Sequence, residues 1–395
     1  MRLPGITVWD GADLLGPATL TWSGDRIGAV EPGGSERFAG LAVIPGLVDS
    51  HVHLVGSSLP GSSFSTWPLT TPREEQVLHG VAHALRAMRR GVTTLRDLAG
   101  DRAQVAIRRA FDAGVLAGPR VLVHGVVGMT AGHCDLFVPP ALGERPPTAD
   151  GPWECRRLVR AWARDGVDGI KVTTSGGVLS TGDRSAWRNY TRDEVRAVVD
   201  ESHALQMRVA AHAHSEDGIA VAIEEGVDSI EHGTLMTSDQ AKLVAERGVT
   251  VAPTLLINEA IAEARVPVSR ESQEKAADLV ARRDVLLRQA AESGVQFVLG
   301  TDANGYHVDF GDELTELRRM HEVLGLSPAD CLRAGTSRAA SAVGLGDRVG
   351  RLAAGYAADF VVIDGAPWEN IGGLRPENVV AVVCRGELVA GTLPT

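Results

Sequence analysis

The chain has 395 residues, enough for one large barrel of about 250 residues and a smaller satellite domain, and its 44% hydrophobic content is spread evenly with only 4% aromatic. A formal charge of −11 leaves no basic footprint for nucleic acid or anionic membranes, no window approaches the roughly 18 uncharged apolar residues of a membrane helix, and the scattered Cys134, Cys155, Cys331 and Cys384 suggest neither a disulfide framework nor a thiolate zinc site. The expectation is a cytoplasmic protein that acts on a small-molecule substrate, has no nucleic-acid or membrane partner and assembles as a homo-oligomer.

Residues 1–42 read as short strands and turns, with Gly5–Trp9 and Leu20–Gly28 as strands. The first long apolar run, Val43–Val52, carries Asp49-Ser50-His51-Val52-His53 at its end, and imidazoles at i and i+2 share one face of a strand. An amphipathic helix follows over Glu75–Arg90. Its His79 and His83 share a helical face, but Gly80 stands where a HExxH zinc site needs Glu, so both are read as structural.

Strand Val92–Arg96, helix Asp101–Ala113 and strand Arg120–Val126, with His124 near its end, come next. Two connections are long for such units, Val127–Pro152 and Thr174–Tyr190, and loops of that length commonly bind or cover ligands. Between them lie helix Trp153–Arg164 and strand Val167–Thr173, which places Lys171 where a barrel core is ordinarily apolar. The second connection offers Arg184, Arg188 and Tyr190, any of which suits a substrate carboxylate. A solvated surface loop is an equal reading of it.

Helix Arg192–Leu205 leads to strand Met207–Ala213, with His212 and His214 at its end. Helix Glu216–Glu225 leads to strand Val227–Glu231, followed at once by His232. Helix Ser238–Arg247 and strands Val249–Pro253 and Val295–Thr301 complete eight strands, the last followed by Asp302. Five strands open on an end-of-helix Gly followed by Val, at Gly91, Gly166, Gly226, Gly248 and Gly294, the expected junction of a helix end with a buried parallel strand. Helices Glu313–Leu324 and Pro328–Val343 follow, and then short strands return, including Ala358–Asp364 and Val379–Val383. The fold class expected is therefore α/β: a (β/α)8 TIM barrel over residues 46–346, with a small β-sandwich domain built from both termini, residues 1–45 and 347–395.

Active sites of such barrels lie at the carboxyl ends of the strands. His51, His53, His212, His232 and Asp302 fall there, and all are metal-ligand types; their conjunction outweighs the structural role each would have alone. Lys171 is one of only three lysines among 39 basic residues. Burial lowers a lysine's pKa and leaves a neutral amine able to add CO2, giving a carbamate with two oxygens that can bridge two metals; arginine cannot do this.

These residues, with Ile44-Pro45-Gly46-Leu47-Val48-Asp49-Ser50-His51-Val52-His53, Gly91-Val92-Thr93-Thr94-Leu95-Arg96-Asp97, Gly169-Ile170-Lys171, Val227-Asp228-Ser229-Ile230-Glu231-His232-Gly233-Thr234, Gly300-Thr301-Asp302-Ala303 and Gly355-Tyr356-Ala357-Ala358-Asp359, make the chain resemble the amidohydrolase superfamily along essentially its whole length. Within it, the chain is similar to the branch of imidazolonepropionase-like amidohydrolases, Xaa-Pro (prolidase-like) dipeptidases and zinc carboxypeptidases. The resemblance implies two divalent metals, zinc by preference. His51, His53 and Asp302 would hold one, His212 and His232 the other, and carboxylated Lys171 would bridge them.

It further implies that Asp302 takes the proton of the hydrolytic water held between the metals, and that His133, in Met129-Thr130-Ala131-Gly132-His133, lies near the substrate carbonyl. His214 is expected to face the substrate or support the ligands. True imidazolonepropionases usually lack the lysine and use one metal, so Lys171 moves the expectation towards the binuclear, peptidase-like relatives. The activity expected is hydrolysis of a peptide-like amide, in a dipeptide, a C-terminal residue or an N-acyl amino acid. Opening of a cyclic amide, lactone, carbamate or ester is a second reading. A non-catalytic relative is a third, opposed by the retention of every ligand position.

Overall fold

The computed structural model describes residues 1–59, 61–143 and 145–395. Its strands, in chain order, are β1 (Arg2–Trp9), β2 (Leu14–Ser23), β3 (Arg26–Pro32), β4 (Leu41–Pro45), β5 (Leu47–Val52), β6 (Val92–Gly100), β7 (Arg120–Val127), β8 (Gly169–Thr173), β9 (Arg208–Ala213), β10 (Ser229–His232), β11 (Thr250–Ala252), β12 (Gln296–Phe297), β13 (Phe360–Asp364), β14 (Val379–Cys384) and β15 (Glu387–Gly391). They form a mixed α/β structure with two sheets. Strands β5 to β12 lie in sequence order in an eight-stranded parallel sheet, and a separate seven-stranded sheet runs β15-β14-β13-β4-β1-β2-β3.

The parallel sheet curls until its edges meet. Ser50 N–H donates to Leu299 O (2.9 Å), Asp302 N–H to His51 O (2.8 Å) and His53 N–H to Ala303 O (2.8 Å), so the segment after β12 pairs with β5 although only two of its residues are regular strand. The second sheet draws on both termini as expected, but it is one continuous hydrogen-bonded sheet and not two stacked ones. It folds over its own core, in which Ile6, Leu20, Ile27, Val43, Phe360 and Val383 pack together.

The run expected as one strand, Val43–Val52, is divided between the sheets at Gly46. A Cβ there would lie 2.3 Å from Thr93 Oγ1, and the Gly46 N–H donates to Asp359 O across 2.9 Å. The five Gly-Val junctions behave as expected, with φ positive at all of them, for example 83° at Gly226 and 69° at Gly248. Three helices among the described residues escape the sequence reading, the single turn Trp67–Thr70 and two longer ones. Leu255–Ala262 is buried from Leu255 to Ile261 and so has no amphipathic period, while the inward stripe of Arg270–Glu292 is interrupted by Arg283, fully buried against Glu259 at 2.8 Å. The helix expected over Pro328–Val343 breaks at Thr336, whose hydroxyl donates back to Leu332 O. No helix among the described residues is long and apolar enough to cross a membrane.

Candidate active site

The carboxyl ends of the parallel strands open onto a cavity of about 990 Å³ lined by His51, His53, Lys171, His212, His214, His232 and Asp302, with His133 beside them. His53 Nε2 lies 3.0 Å and His51 Nε2 3.7 Å from Asp302 Oδ1. Opposite, His232 Nε2 stands 3.0 Å from His212 Nδ1, and the His214 ring stacks on His232 at 4.4 Å. Two triads bring their donor atoms within 4.8 Å of one another: His51, His232 and Asp302, and His212, His214 and His232.

This donor set fits divalent metal, being imidazole and carboxylate in tetrahedral reach. At His51, His212 and His232 the surroundings favour the neutral, ligating form. Burial, helped by neighbouring positive charge, brings His51 down to about 4 and holds His212 and His232 well below the ordinary imidazole range. Burial alone would raise Asp302, but His51, His53 and Lys171 together hold it below the ordinary carboxylate range.

Lys171, in the middle of β8, is 5% exposed. Burial pushes its ammonium below the ordinary lysine range against the pull of Glu231 and Asp302, and among the described residues no carboxylate oxygen lies within 4.0 Å of Nζ. A buried amine without an ion pair, among metal-ligand types, suits carbamate formation better than retention of charge.

Three of the seven non-glycine residues with left-handed φ among the described residues, His232 (71°), Thr254 (47°) and Asp302 (58°), lie at this rim, the others being Ala131, Gln206, Ala264 and Arg385; the conformation persists only where its surroundings fix it. Thr254 Oγ1 holds His232 Nδ1 at 2.7 Å, and the Asp302 backbone is tied to β5.

Behind the ligands stand groups the sequence reading did not single out. Glu231 Oε2 lies 2.9 Å from His51 Nδ1, and its other oxygen accepts from Arg96 Nη2 at 2.8 Å; both side chains are essentially buried. Arg96 also donates to Ser50 O at 2.6 Å, so one cation braces both the backbone and the ring of the β5 ligands. Asp49 accepts from Thr301 Oγ1 at 2.6 Å and from the His51 N–H at 3.1 Å, joining the strands that carry His51 and Asp302. The available signal was a pair of opposite charges on strands otherwise buried, Arg96 on β6 and Glu231 on β10, since each requires an interior partner.

His133 sits in the loop after β7. Its ring stacks on His212 at 4.4 Å, and its Nδ1 lies 2.8 Å from Ser180 Oγ, which donates to Asp183 at 2.7 Å. The segment after β8 folds as a two-limbed hairpin, with an antiparallel bridge between Ser175 and Arg188. Its inner limb faces the cavity through Val178 and Leu179.

The outer limb corrects three expectations. Arg184 and Arg188 are exposed outside the cavity, Arg184 lying over the Trp187 ring at 5.7 Å. Tyr190 is fully buried, with its hydroxyl donating to Ala149 O at 2.8 Å, and so is a packing residue. The guanidinium groups that do line the cavity are Arg73 and Arg145, already paired with Asp101 and Asp135. His79, His83 and His124 have structural partners: His79 accepts from the Ser58 N–H, His83 bonds Leu54 O, and His124 bonds Ile170 O.

The model of the amidohydrolase family matches residues 42–389. The chain belongs to the amidohydrolase family. Among the relatives of this amidohydrolase, ochratoxinase of Aspergillus niger is 31% identical over 366 residues, covering 87% of this chain and 74% of the relative. Imidazolonepropionase of Deinococcus radiodurans is 28% identical, covering 95% and 90%. A solved Xaa-Pro dipeptidase with methionine bound in its active site superposes with a TM-score of 0.86 at 31% identity, covering 98% of each chain. This amidohydrolase therefore falls in the branch of imidazolonepropionase-like and Xaa-Pro dipeptidase-like proteins, and it is a hydrolase of amide or peptide bonds.

Proposed function

We propose that this amidohydrolase is a binuclear metal enzyme that cleaves a peptide-like amide, in a dipeptide, at a C-terminal residue or in an N-acyl amino acid. The carrying observation is the convergence of His51, His53, His212, His232 and Asp302 on a cavity that also receives a buried lysine with no ion pair. In this reading the curled sheet is a closed (β/α)8 barrel over residues 46–346, residues 1–45 and 347–395 form the satellite domain, and the enzyme works in the cytoplasm. His51, His53 and Asp302 would hold one divalent ion and His212 and His232 the second, with a CO2-derived carbamate on Lys171 as a further anionic ligand for the pair; His214 would be a supporting residue. Two zinc ions, when bound, supply the Lewis acidity that brings a water's pKa to about 7 and polarises the scissile carbonyl.

The chain's own residues do the rest. Asp302, ionised and at the cavity face, accepts the proton of the attacking water and passes it to the leaving nitrogen. His133 donates through Nδ1 to Ser180, whose hydroxyl is held by Asp183, and in this reading its ring would meet the substrate carbonyl oxygen through Nε2 when both ring nitrogens carry protons. Glu231 and Arg96 fix the ring of His51.

Elemental analysis of active protein should find close to two divalent ions per chain; full activity with a single ion overturns the bridged pair. Dipeptides and N-acyl amino acids, assayed against their C-terminally amidated counterparts, should be hydrolysed, and the panel reads directly whether a free carboxylate matters.

A further inference from the structure

Aromatic side chains make up only 4% of this chain, yet several gather at the mouth of one cavity. Phe64, from the loop after β5, lies 6.2 Å from Phe137 and 6.1 Å from Tyr306, ring centre to ring centre. Phe137 comes from the loop after β7 and Tyr306 from the segment after β12, so three separate connections each send one ring to the same place. All three are partly exposed and line the cavity together with Trp67. The cluster is continuous with the chemistry below it. Phe137 meets the His133 ring at 4.9 Å, edge to face, and His133 stacks on His212.

Phe64 and Tyr306 also pack on His307, each at 4.8 Å, but partly exposed rings retain apolar surface that a ligand can bury, and aromatic pairs add geometric preference to that burial. Pockets for drug-sized ligands span roughly 300–1,000 Å³. At about 990 Å³ this cavity stands at the upper end, and a dipeptide at the histidine cluster leaves its outer part unfilled. The two guanidinium groups that line the cavity, Arg73 and Arg145, are each paired with a carboxylate, Asp101 and Asp135.

We propose that Phe64, Phe137 and Tyr306 form a subsite for a bulky, planar aromatic group carried by the substrate away from its scissile amide. The inference rests on the amide-hydrolase reading and deepens it by naming a substrate class: amides with a large aryl substituent in preference to small aliphatic dipeptides.

The test uses the metal-loaded, full-length enzyme and four amides carrying a naphthyl or a methyl group on either the acyl or the amine side, with binding of 2-naphthoate followed in parallel by its fluorescence. At one of the two sides the naphthyl compound should exceed its methyl partner in kcat/KM by about tenfold or more. Phe64→Ala should remove about tenfold from that compound while changing the methyl compound less than about twofold, and should weaken 2-naphthoate binding in proportion. Phe64→Leu, which keeps the bulk and loses the ring, should fall between. Equal rates for naphthyl and methyl at both sides, or equal losses on both compounds in the variants, overturn the subsite. If none of the four amides is cleaved but 2-naphthoate binds and the variants weaken it, the subsite stands and the hydrolytic reading alone fails; absence of both binding and preference overturns the subsite.

Discussion

Asp302 and Lys171 are the residues whose chemistry separates catalysis from ligation. Asp302→Asn keeps the size and a ligating oxygen but accepts no proton near neutrality. Its kcat should fall by about 10²-fold or more, the scale of losing a general base, while metal content falls far less. A variant that hydrolyses at the parental rate leaves Asp302 as a ligand only. For Lys171, replacement by Ala should lose both metal and activity, and a short carboxylic acid added to the assay should restore part of each. Lys171→Arg should recover neither, because guanidinium stays charged and forms no carbamate. Full metal and full rate in Lys171→Arg would exclude the carbamate.

At the scale of elements, the pair formed by Arg96 on β6 and Glu231 on β10 spans the interior of the curled sheet. Burial would raise Glu231, but Arg96 and His51 hold it below the carboxylate range. Arg96→Met alone leaves an uncompensated buried carboxylate and should cost about 3–5 kcal/mol in unfolding free energy; the double change with Glu231→Leu should cost clearly less. The double variant should still bind metal about 10–100-fold more weakly, since His51 loses its orienting carboxylate. Equal stability losses in single and double variants show that the pair is not coupled. The same pair marks where sequence reading ran out.

Strand ends were legible, because Gly-Val junctions fix where each strand starts and a period of two fixes which side chains face inward, bringing His51 and Asp302 together from opposite ends of the sheet. Side chains in long connections were not. Whether Arg184 or Val178 faces the cavity depends on how the hairpin after β8 folds back on itself, and no local period encodes that. The helix Leu255–Ala262 was missed for a related reason: buried all round, it shows no alternation to read.

Across the whole molecule, buried neutral histidines set the acid limit of stability. Burial brings His83 to about 4 and His124 to about 3, from an ordinary value of 6.5. Below about pH 6.5 the unfolded chain takes up these protons and the fold does not, so the contribution of these two histidines is constant above that pH and falls towards about pH 4, while Glu316, raised by burial to about 8, works the other way and contributes stability that is lost as pH rises through that value. Glu231 and Asp302, with depressed values, add further loss only at still lower pH. The difference in thermal midpoint between the metal-free parent and His124→Gln, followed from about pH 8 to 4.5, isolates the His124 contribution and should move in favour of the variant as pH falls; a difference that does not change with pH assigns the decline to other groups.

The crossing at Gly46 carries a consequence for synthesis. Strand β4 pairs with β1 on one side and with β13 on the other, Val361 opposite Ile44. On the ribosome its first neighbour has already emerged, while its second arrives more than three hundred residues later. At roughly 5–20 residues per second, that edge stays open for about a quarter of a minute to a minute, presenting Ala42, Val43 and Ile44 as an unpaired template. β5, which carries His51, continues directly from that strand. The nascent chain therefore finishes its histidine cluster on an unfinished support, and chaperone demand during translation should peak just before the last forty residues are released.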